Sequence, residues 1–389
     1  MVGRPLVARI GGADAPSIGI LSTFPPTECG IATFSAALAS GLVAQGATVD
    51  VVRCGESEDF EDPLVVASTG AGGPRGVRAA VDALNDADVA IVQHEYGIYG
   101  GHDGDDVVGV LQALSVPSIV VAHTVVRHPT PHQRFVLEAV SQAASAVVVM
   151  TNYARRRLID RFDVDAEKVS VIPHGATTPP DNVPTGERRP GDRLRLLTWG
   201  LLGPGKGIEW AVDAMALLAD VRPRPSYLIA GTTHPKVLAN EGEAYRGMLA
   251  TRSWRNGACR SVEFDDSYRG LPALTRMIRA ADLVVLPYDS DDQVTSGVLV
   301  DAVACGRPVV ATAFPHAIEL LSGGAGVVVP QRDATAIADV VRSVVDHPEL
   351  LDSMGAECRR LAPDMSWLAV ARRYAELADS LAAAERASA

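Results

Sequence analysis

The sequence has 389 residues, of which 47% are hydrophobic and 21% charged, and its 35 basic and 47 acidic residues give a formal net charge of −12. A chain of this length exceeds what one hydrophobic core usually serves, so it predicts two domains. The apolar content excludes a disordered chain, the acidic balance argues against nucleic acid as the main partner, and no apolar run reaches the ~18 residues of a membrane span.

The first half of the chain alternates short apolar runs with longer helical stretches. Each apolar run is continuous, which is typical of parallel strands covered on both faces. The predicted strands are Ser17–Ser22, Thr48–Arg53, Val89–Gln93, Ser118–Ala122 and Ala146–Met150. The predicted helices are Ala32–Ala44, Arg75–Leu84, Asp105–Leu114 and His132–Ala143. This alternation predicts a doubly wound α/β domain.

A proline-rich linker, His174–Leu194, is predicted next, and the same alternation then restarts. The second set of predicted strands is Leu194–Trp199, Ser226–Ala230, Val262–Phe264, Leu283–Pro287, Pro308–Thr312 and Gly326–Val329. The second set of predicted helices is Ile208–Leu218, Leu271–Ala280, Ser296–Ala304, Ala317–Leu321, Ala334–Val345 and Trp367–Ala384. Ligands of such sheets bind at the carboxyl ends of the strands, and the natural active site is the cleft between two such domains.

The loop after the first strand is the first candidate site. It reads TECGIATF over residues 27–34, and its Gly30 and Ile31 open a helix. A glycine lets backbone approach a ligand closely, and a helix N-terminus offers free N–H groups to an anion. An ordinary strand-to-helix turn explains the same residues equally well.

The second candidate is the glycine-rich loop Trp199–Glu209, in which Gly205 precedes Lys206. An ammonium beside exposed backbone amides suits a diphosphate. The chain has only three lysines, which favours a phosphate role for Lys206 over a solvated lysine. Gly207 stands where a P-loop requires Ser or Thr, so this is not a P-loop.

The third candidate is the polar loop that follows the strand ending at Pro287. Ser296 is a suitable helix N-cap, and the amides of Thr295, Ser296 and Gly297 would then face an anionic ligand. Asp301, one turn into that helix, either accepts hydrogen bonds from a ribose or is a solvated helix residue. Asp289, Asp291 and Asp292 are more typical of a solvated acidic loop than of a metal site.

Histidines at strand ends form the fourth candidate. His94 and Glu95 follow one predicted strand, and His123 follows the next, where functional groups of a parallel sheet are expected. His174 lies at the boundary between the two halves, where a simple turn explains it slightly better. A run of arginines from Arg155 to Arg161 is predicted to be a solvated helix face.

Taken together, these pieces resemble the retaining glycosyltransferases of family 4, which have the GT-B fold. The matching pieces, in chain order, are the CGIATF loop, His123-Thr124, Val171–Gly175, Gly205-Lys206-Gly207, Ala281–Pro287 and Ala302–Ala311. The Q-x-T-S-G start of the helix at residues 293–297 resembles a divergent subgroup. Leu201 stands where the family usually has an arginine, and Gln293 and Asp301 stand where it has two glutamates.

The resemblance implies two Rossmann-like domains, at residues 1–185 and 193–366, with a C-terminal helix at 367–389 that packs back on the first. It implies a retaining hexosyltransferase that uses a GDP- or UDP-sugar, with mannose or glucose favoured, and a glycan or glycoside acceptor. His123 and Lys206 would be catalytic. Gly30, Ile31, Gly205, Gln293, Thr295, Ser296, Gly297 and Asp301 would bind the donor, and His94, Glu95 and His174 would contact substrate.

The same resemblance implies no cofactor and no metal. A sugar-nucleotide epimerase on the same fold and a non-catalytic nucleotide-sugar-binding protein remain open alternatives. The N-terminus lacks a signal-peptide pattern, and the five cysteines show no CxxC spacing, so a cytoplasmic protein without disulfides is expected. The acidic charge disfavours membrane association, although the arginine run leaves it open.

Overall fold

The computed structural model describes residues 16–55, 62–177, 191–267, 269–290 and 295–388. The chain divides into two compact units, one formed by Met1–Gly175 with Trp367–Ala389 and the other by Ala176–Ser366. Each described unit is built on a parallel sheet with helices around it. The predicted fold class, two doubly wound α/β domains, is therefore confirmed.

The first unit contains a seven-stranded parallel sheet. Its strands β1–β7 span Ser17–Ser22, Thr48–Arg53, Val65–Ser68, Val89–His94, Ser118–Ala122, Ala146–Val149 and Val169–Val171. Their order across the sheet is β3-β2-β1-β4-β5-β6-β7. The strand order reverses between β1 and β4, and the loops that follow such a pair of strands are where open parallel sheets bind ligands.

Five helices follow strands of this sheet in the chain. Helices α1–α5 span Gly30–Ala44, Gly73–Leu84, Asp106–Ala113, Pro131–Ala143 and Asn152–Arg161. Helix α4 begins with a capping box, in which the Thr130 hydroxyl accepts from the Gln133 backbone N–H and the Gln133 side chain accepts from the Thr130 N–H. Pro131 at the first helical position adds a preset φ, so the start of α4 is locally encoded.

The second unit contains a six-stranded parallel sheet. Its strands β8–β13 span Arg195–Trp199, Ser226–Ala230, Val262–Asp265, Leu283–Leu286, Val309–Thr312 and Gly326–Val329. Helices α6–α13 span Ile208–Leu217, Pro235–Glu241, Ala244–Arg255, Leu271–Ala280, Gly297–Ala304, Pro315–Leu321, Ala334–Asp346 and Glu349–Met365. The strand order is β10-β9-β8-β11-β12-β13, which places the reversal between β8 and β11.

The last helix, α14 at Trp367–Ser388, belongs to the first unit although it follows the second in the chain. The helix face that carries Val370, Ala371 and Tyr374 is buried in the core of that unit and packs against α1. Helix α1 contributes Gly41 to this contact, where a Cβ would lie 2.7 Å from Ala371 Cβ. A glycine is thus required for the two helices to pack this closely.

Several elements of the structure were not predicted from the sequence, namely β3, β7, α7, α8 and α13. Strands β3 and β7 have only four and three residues and lie at the two edges of their sheet, so neither shows a long apolar run. Helix α13 contains Pro363, which usually ends a helix. Within the described ranges, no helix is both long and apolar enough to cross a membrane.

Candidate functional site

Two predicted loops come together at the strand reversal of the second unit. One follows β8 and the other follows β11. The Asp289 N–H donates to the Gly205 carbonyl at 3.2 Å. A Cβ at Gly207, where φ is +60°, would lie 2.0 Å from the Pro287 carbonyl oxygen. Gly207 is therefore required both by its left-handed backbone and by the close approach of the second loop.

Lys206 lies at the centre of this pair of loops. Its side chain is half-buried, and its Nζ lies 4.6 Å from the centroid of the Tyr288 ring. Tyr288 is itself 2% exposed, so the ring is a fixed platform for the ammonium. A cation over a ring face is attracted by the ring quadrupole, and an ammonium keeps further N–H groups for other acceptors. The geometry leaves Lys206 able to bind an anion at this loop.

The Asp289 carboxylate is paired within the protein, so the fully solvated acidic loop expected here is wrong at this residue. It accepts from Trp210 Nε1 at 3.2 Å and forms an ion pair with Arg332 at 3.7 Å. Arg332, from the turn after β13, also donates to the Asp289 carbonyl at 3.3 Å. This second cation beside the loop was missed from the sequence, since the turn residues around it follow no binding motif.

The start of α10 differs from expectation at Ser296. Its hydroxyl accepts from the Leu299 N–H, as predicted for an N-cap, but its own N–H donates to His316 Nδ1 at 3.1 Å. Ser296 is 5% exposed, so burial and the His316 bond remove its amide from the proposed anion contact. The anion contacts expected of the Thr295 and Gly297 amides stay predictions, and Asp291, Asp292 and Gln293 lie outside the described residues.

Asp301 lies one turn into α10, as predicted. Burial raises the pKa of its carboxyl from 3.8 to about 7. A carboxyl that is half protonated near neutral pH is not an ordinary solvated helix residue, and perturbed groups of this kind concentrate at functional sites. This favours the ribose interpretation over the solvated one.

In the first unit, the loop after β1 leads into the N-terminus of α1. Cys29 is the N-cap, and its Sγ accepts from the Ala32 N–H at 3.3 Å. Gly30 is exposed, and a Cβ placed there would meet no heavy atom of the described residues within 4 Å. The space beside the Gly30 Cα is therefore open among the described residues, while the Ala32 amide is already bonded to the Cys29 cap, so the anion contact predicted for Gly30 and Ile31 stays a prediction.

His123 follows β5 and contacts side chains from two other elements. Its Nε2 lies 2.6 Å from the Oε1 atom of Gln93, at the end of β4. Its ring packs edge-on against Phe34 of α1, with centroids 4.9 Å apart. Burial, with the nearby His174 and His94, lowers the pKa of His123 from 6.5 to about 3. The ring is thus neutral at pH 7.

His174 belongs to the same cluster. Its ring lies 5.1 Å from that of Phe34, which also packs edge-on against Trp367 at 4.8 Å. The Nδ1–H of His174 donates to the Gly175 carbonyl at 2.6 Å, and burial lowers its pKa to about 4. The contacts that Gln93, Phe34 and Trp367 make in this cluster were not predicted from the sequence, since neither helical nor strand periodicity marks which core side chains reach a site.

His94 and Glu95 are placed differently from each other. His94 is 1% exposed, and its two ring nitrogens have no hydrogen-bond partner within the part of the chain that the structure describes. Burial lowers its pKa to about 4. The side chain is buried beside Tyr96, with ring centroids 5.1 Å apart, and the substrate contact expected of His94 stays a prediction. Glu95 is half-exposed and accepts from the Thr124 hydroxyl, which keeps it a candidate for a substrate contact.

The arginine run on α5 contains side chains that support the fold. Arg157 is 9% exposed and donates to the Val125 carbonyl at 2.7 Å and to the Tyr153 hydroxyl at 2.8 Å. Arg155 donates to the Val169 carbonyl at 3.1 Å. The solvated face predicted for this run is therefore wrong at these two positions, where buried or edge carbonyls need donors.

Comparison with known sequences covers both units. Residues 29–178 match the sequence model named Glycosyltransferase Family 4, and residues 193–347 match the one named Glycosyl transferases group 1. The D-inositol 3-phosphate glycosyltransferase of Geodermatophilus obscurus is 32% identical over 304 residues, covering 70% of this chain and 64% of that protein. Alignments with such relatives span between 60% and 64% of the relatives' own lengths.

Solved structures share the fold at lower identity. HepE of Anabaena in complex with UDP superposes with a TM-score of 0.73 at 17% identity, over 94% of this chain and 100% of that one. Sucrose-phosphate synthase of Thermosynechococcus elongatus gives a TM-score of 0.75 at 20% identity, over 95% of this chain and 100% of that one. At these identities the similarity shows a common architecture.

Proposed function

The chain belongs to the family 4 glycosyltransferases with a GT-B fold, and from that premise we propose that it is a retaining hexosyltransferase. The donor is a GDP- or UDP-hexose, with mannose or glucose favoured, and the acceptor is a hydroxyl group of a glycan or glycoside. The C1–O bond to the diphosphate breaks, and the acceptor oxygen bonds to C1 on the same face. The acceptor proton passes to the leaving diphosphate.

One observation carries this proposal: the Lys206 ammonium is held over Tyr288 at the strand reversal of the second unit, beside the backbone of both loops. Negative charge grows on the diphosphate as the sugar leaves. A positioned cation and backbone donors stabilise that charge in the transition state more than in the ground state. Arg332, which is ion-paired with Asp289, offsets the negative charge of that carboxylate beside the same loop.

Asp301 supports the nucleoside part of the proposal. Its carboxylate, one turn inside α10, is a suitable acceptor for the hydroxyl groups of a ribose. Both loops and α10 follow strands β8 and β11 at the strand reversal, and the carboxyl ends of strands at such a reversal are where nucleotides usually bind, which supports the proposal.

The first unit supplies His123 and the α1 amides. A neutral His123 whose Nε2 faces Gln93 has its Nδ1 left as a hydrogen-bond acceptor for a sugar hydroxyl. We expect the backbone amides of Gly30 and Ile31, at the N-terminus of α1, to bind a phosphate oxygen. We expect Glu95 and His174 to contact the sugars, and the reaction to need no metal.

Known relatives support the substrate class. HepE has been crystallised with UDP and with UDP-glucose, and the sequence relatives are D-inositol 3-phosphate glycosyltransferases. Both observations favour a nucleotide sugar as donor and a polyol or sugar hydroxyl as acceptor.

The test incubates the full chain with UDP-glucose or GDP-mannose, with and without a panel of free sugars, sugar phosphates and inositol phosphates. Nucleotide release that depends on an acceptor, together with an α-linked product seen by NMR, supports the proposal. Conversion of the donor sugar to its epimer without nucleotide release would instead show an epimerase. Nucleotide binding by calorimetry without turnover of any donor would show a non-catalytic binding protein.

A further inference from the structure

A cluster of imidazole and carboxylate groups lies on the first unit, on residues that the proposed reaction does not use. His102 and Asp103 lie in a short helical turn that precedes α3, and His132 lies in the first turn of α4. One ligand atom from each of these three side chains lies within 4.8 Å of the other two. Two imidazoles and one carboxylate are a set of donors that zinc-class ions prefer.

The separations of these atoms match a particular coordination geometry. His132 Nδ1 lies 3.3 Å from Asp103 Oδ2, and His102 Nδ1 lies 3.7 Å from the same oxygen. Ligand atoms held at ~2.0–2.1 Å from a tetrahedral ion stand about 3.3–3.4 Å apart. These two separations are within a few tenths of an ångström of that value. The ligand atoms of His102 and His132 lie within 4.8 Å of each other, so a side-chain rotation of the exposed His102 would bring all three onto one ion.

A second carboxylate faces the opposite nitrogen of His132. Its Nε2 lies 3.4 Å from Asp105 Oδ2, while its Nδ1 faces Asp103. Metal-bound histidines usually donate their other ring N–H to a carboxylate, which fixes the tautomer and the ring orientation. The Nδ1 of His132 thus faces Asp103, where the ion would bind, and its Nε2 faces the carboxylate of Asp105.

The backbone around the cluster holds an unusual conformation. Asp103 has φ +51°, and Gly101 and Gly104 on either side have φ +80° and +74°. The left-handed region is unfavourable for residues with a side chain, although aspartate tolerates it better than most. This conformation places the Asp103 carboxylate, 20% exposed, against His132.

We propose that His102 Nδ1, Asp103 Oδ2 and His132 Nδ1 bind one divalent ion of the zinc class, with Asp105 orienting His132. The side chain of His102 is 74% exposed, so the fourth position faces water. The ion joins the segment between β4 and α3 to the N-terminus of α4. Tyr96, in the same segment, already donates its hydroxyl to the Gln133 carbonyl at 3.2 Å. The bound ion therefore orders the segment that also carries Glu95.

The test titrates the untagged full chain with Co²⁺ and with Zn²⁺. We expect one equivalent to bind, with the strong visible absorption of four-coordinate cobalt and displacement by zinc. His132→Gln and Asp103→Asn should abolish this binding, and Asp105→Asn should weaken it by roughly 10–100-fold. His347→Gln removes an exposed histidine that is paired with Glu349 elsewhere, and it should bind cobalt as the wild type does.

Three results would overturn the proposal. They are a titration without saturation at one equivalent, unchanged binding in His132→Gln, and a thiolate-to-cobalt charge-transfer band, which would place the ion on a cysteine. If His132→Gln loses its fold by circular dichroism, His102→Gln replaces it, since that side chain is exposed and removing it leaves the core intact. Unchanged cobalt affinity in His102→Gln would equally refute the site, and a carboxylate–imidazole ion-pair network would then explain the cluster.

Discussion

The Nε2 atom of His123 lies 2.6 Å from the Oε1 atom of Gln93. Gln93 is the last residue but one of β4, and His123 directly follows the neighbouring strand β5, in which Val121 pairs with Gln93. Burial keeps the His123 ring neutral at pH 7. A neutral imidazole has one N–H, and an amide oxygen opposite Nε2 fixes the proton on that atom. Gln93 is thus a positioning residue for the proposed sugar contact of His123.

We predict that Gln93→Met lowers kcat by about tenfold, the effect of losing one hydrogen bond of ~1–1.5 kcal/mol, with little change in donor KM. The readout that a purely structural role would leave unchanged is the ¹⁵N NMR shift of the His123 ring. It should report the Nε2–H tautomer in the wild type and a mixture in the variant. Gln142→Met, on an exposed side chain of α4, is the matched control. A wild-type ring protonated on Nδ1 would contradict the prediction.

Replacement of Lys206 should affect turnover more than folding. Lys206→Ala removes the ammonium over Tyr288, and we expect kcat to fall by roughly 100-fold or more, as for the loss of one transition-state donor. Steady-state nucleotide release measures this. Lys168→Ala is the matched control, because its ammonium bonds the carbonyls of Gln142 and Ala144 in the first unit and its loss leaves the loop intact. Equal rates in the wild type and folded Lys206→Ala would remove this residue from the mechanism.

The carboxyl of Asp301 should make nucleotide binding depend on pH. Its folded pKa of about 7 means that the carboxylate forms as pH rises through 7, and only then does it accept fully from a ribose. Calorimetry with UDP and GDP should show tighter binding at pH 8 than at pH 6, and Asp301→Asn should flatten this difference. Wild-type affinity that is independent of pH would contradict the prediction.

The raised pKa of Asp301 should also make the stability of the fold decrease as pH rises. The pKa of Asp301 in the folded state, about 7, is above its value of about 3.9 in the unfolded state. Between these two pH values the folded state binds more protons than the unfolded state, so the free energy of unfolding falls as pH rises, and the loss is complete above pH 7. Asp301→Asn should therefore raise Tm relative to the wild type at pH 8 more than at pH 4.5. A larger gain at the acidic pH would show that the group is not desolvated.

Gly175 should tolerate no side chain. A Cβ there would lie 2.4 Å from Trp367 Cε3, at the start of α14. We expect Gly175→Ala to lower the free energy of unfolding by about 1–3 kcal/mol through overpacking. Urea unfolding followed by circular dichroism measures it. The Cβ added in Gly30→Ala would meet no described heavy atom within 4 Å, so this variant should change the free energy of unfolding by about 0.5 kcal/mol or less. Similar losses in both variants would refute the steric argument.

Local patterns in the chain were enough to predict the two parallel-sheet units and the placing of several site residues. Continuous runs such as Val89–Gln93 predicted buried strands, and the glycines around Lys206 predicted a strand-to-helix loop. These features depend on neighbours in sequence, because strand burial and helix capping are set within a few residues. The same locality explains why Ser296 was correctly predicted to cap a helix.

Tertiary structure alone decided which groups meet. Gln93 contacts His123, Arg332 contacts Asp289, and His316 takes the Ser296 amide. Each pair joins residues from separate elements or loops of the fold, and the strand order that makes them neighbours is not encoded in any local period. His94 illustrates the same point, because a strand-end position did not reveal that its ring would be buried. The local sequence therefore determined the helices, the strands and the candidate site residues. The order of strands in each sheet determined which side chains those residues contact, how exposed they are and whether they are charged.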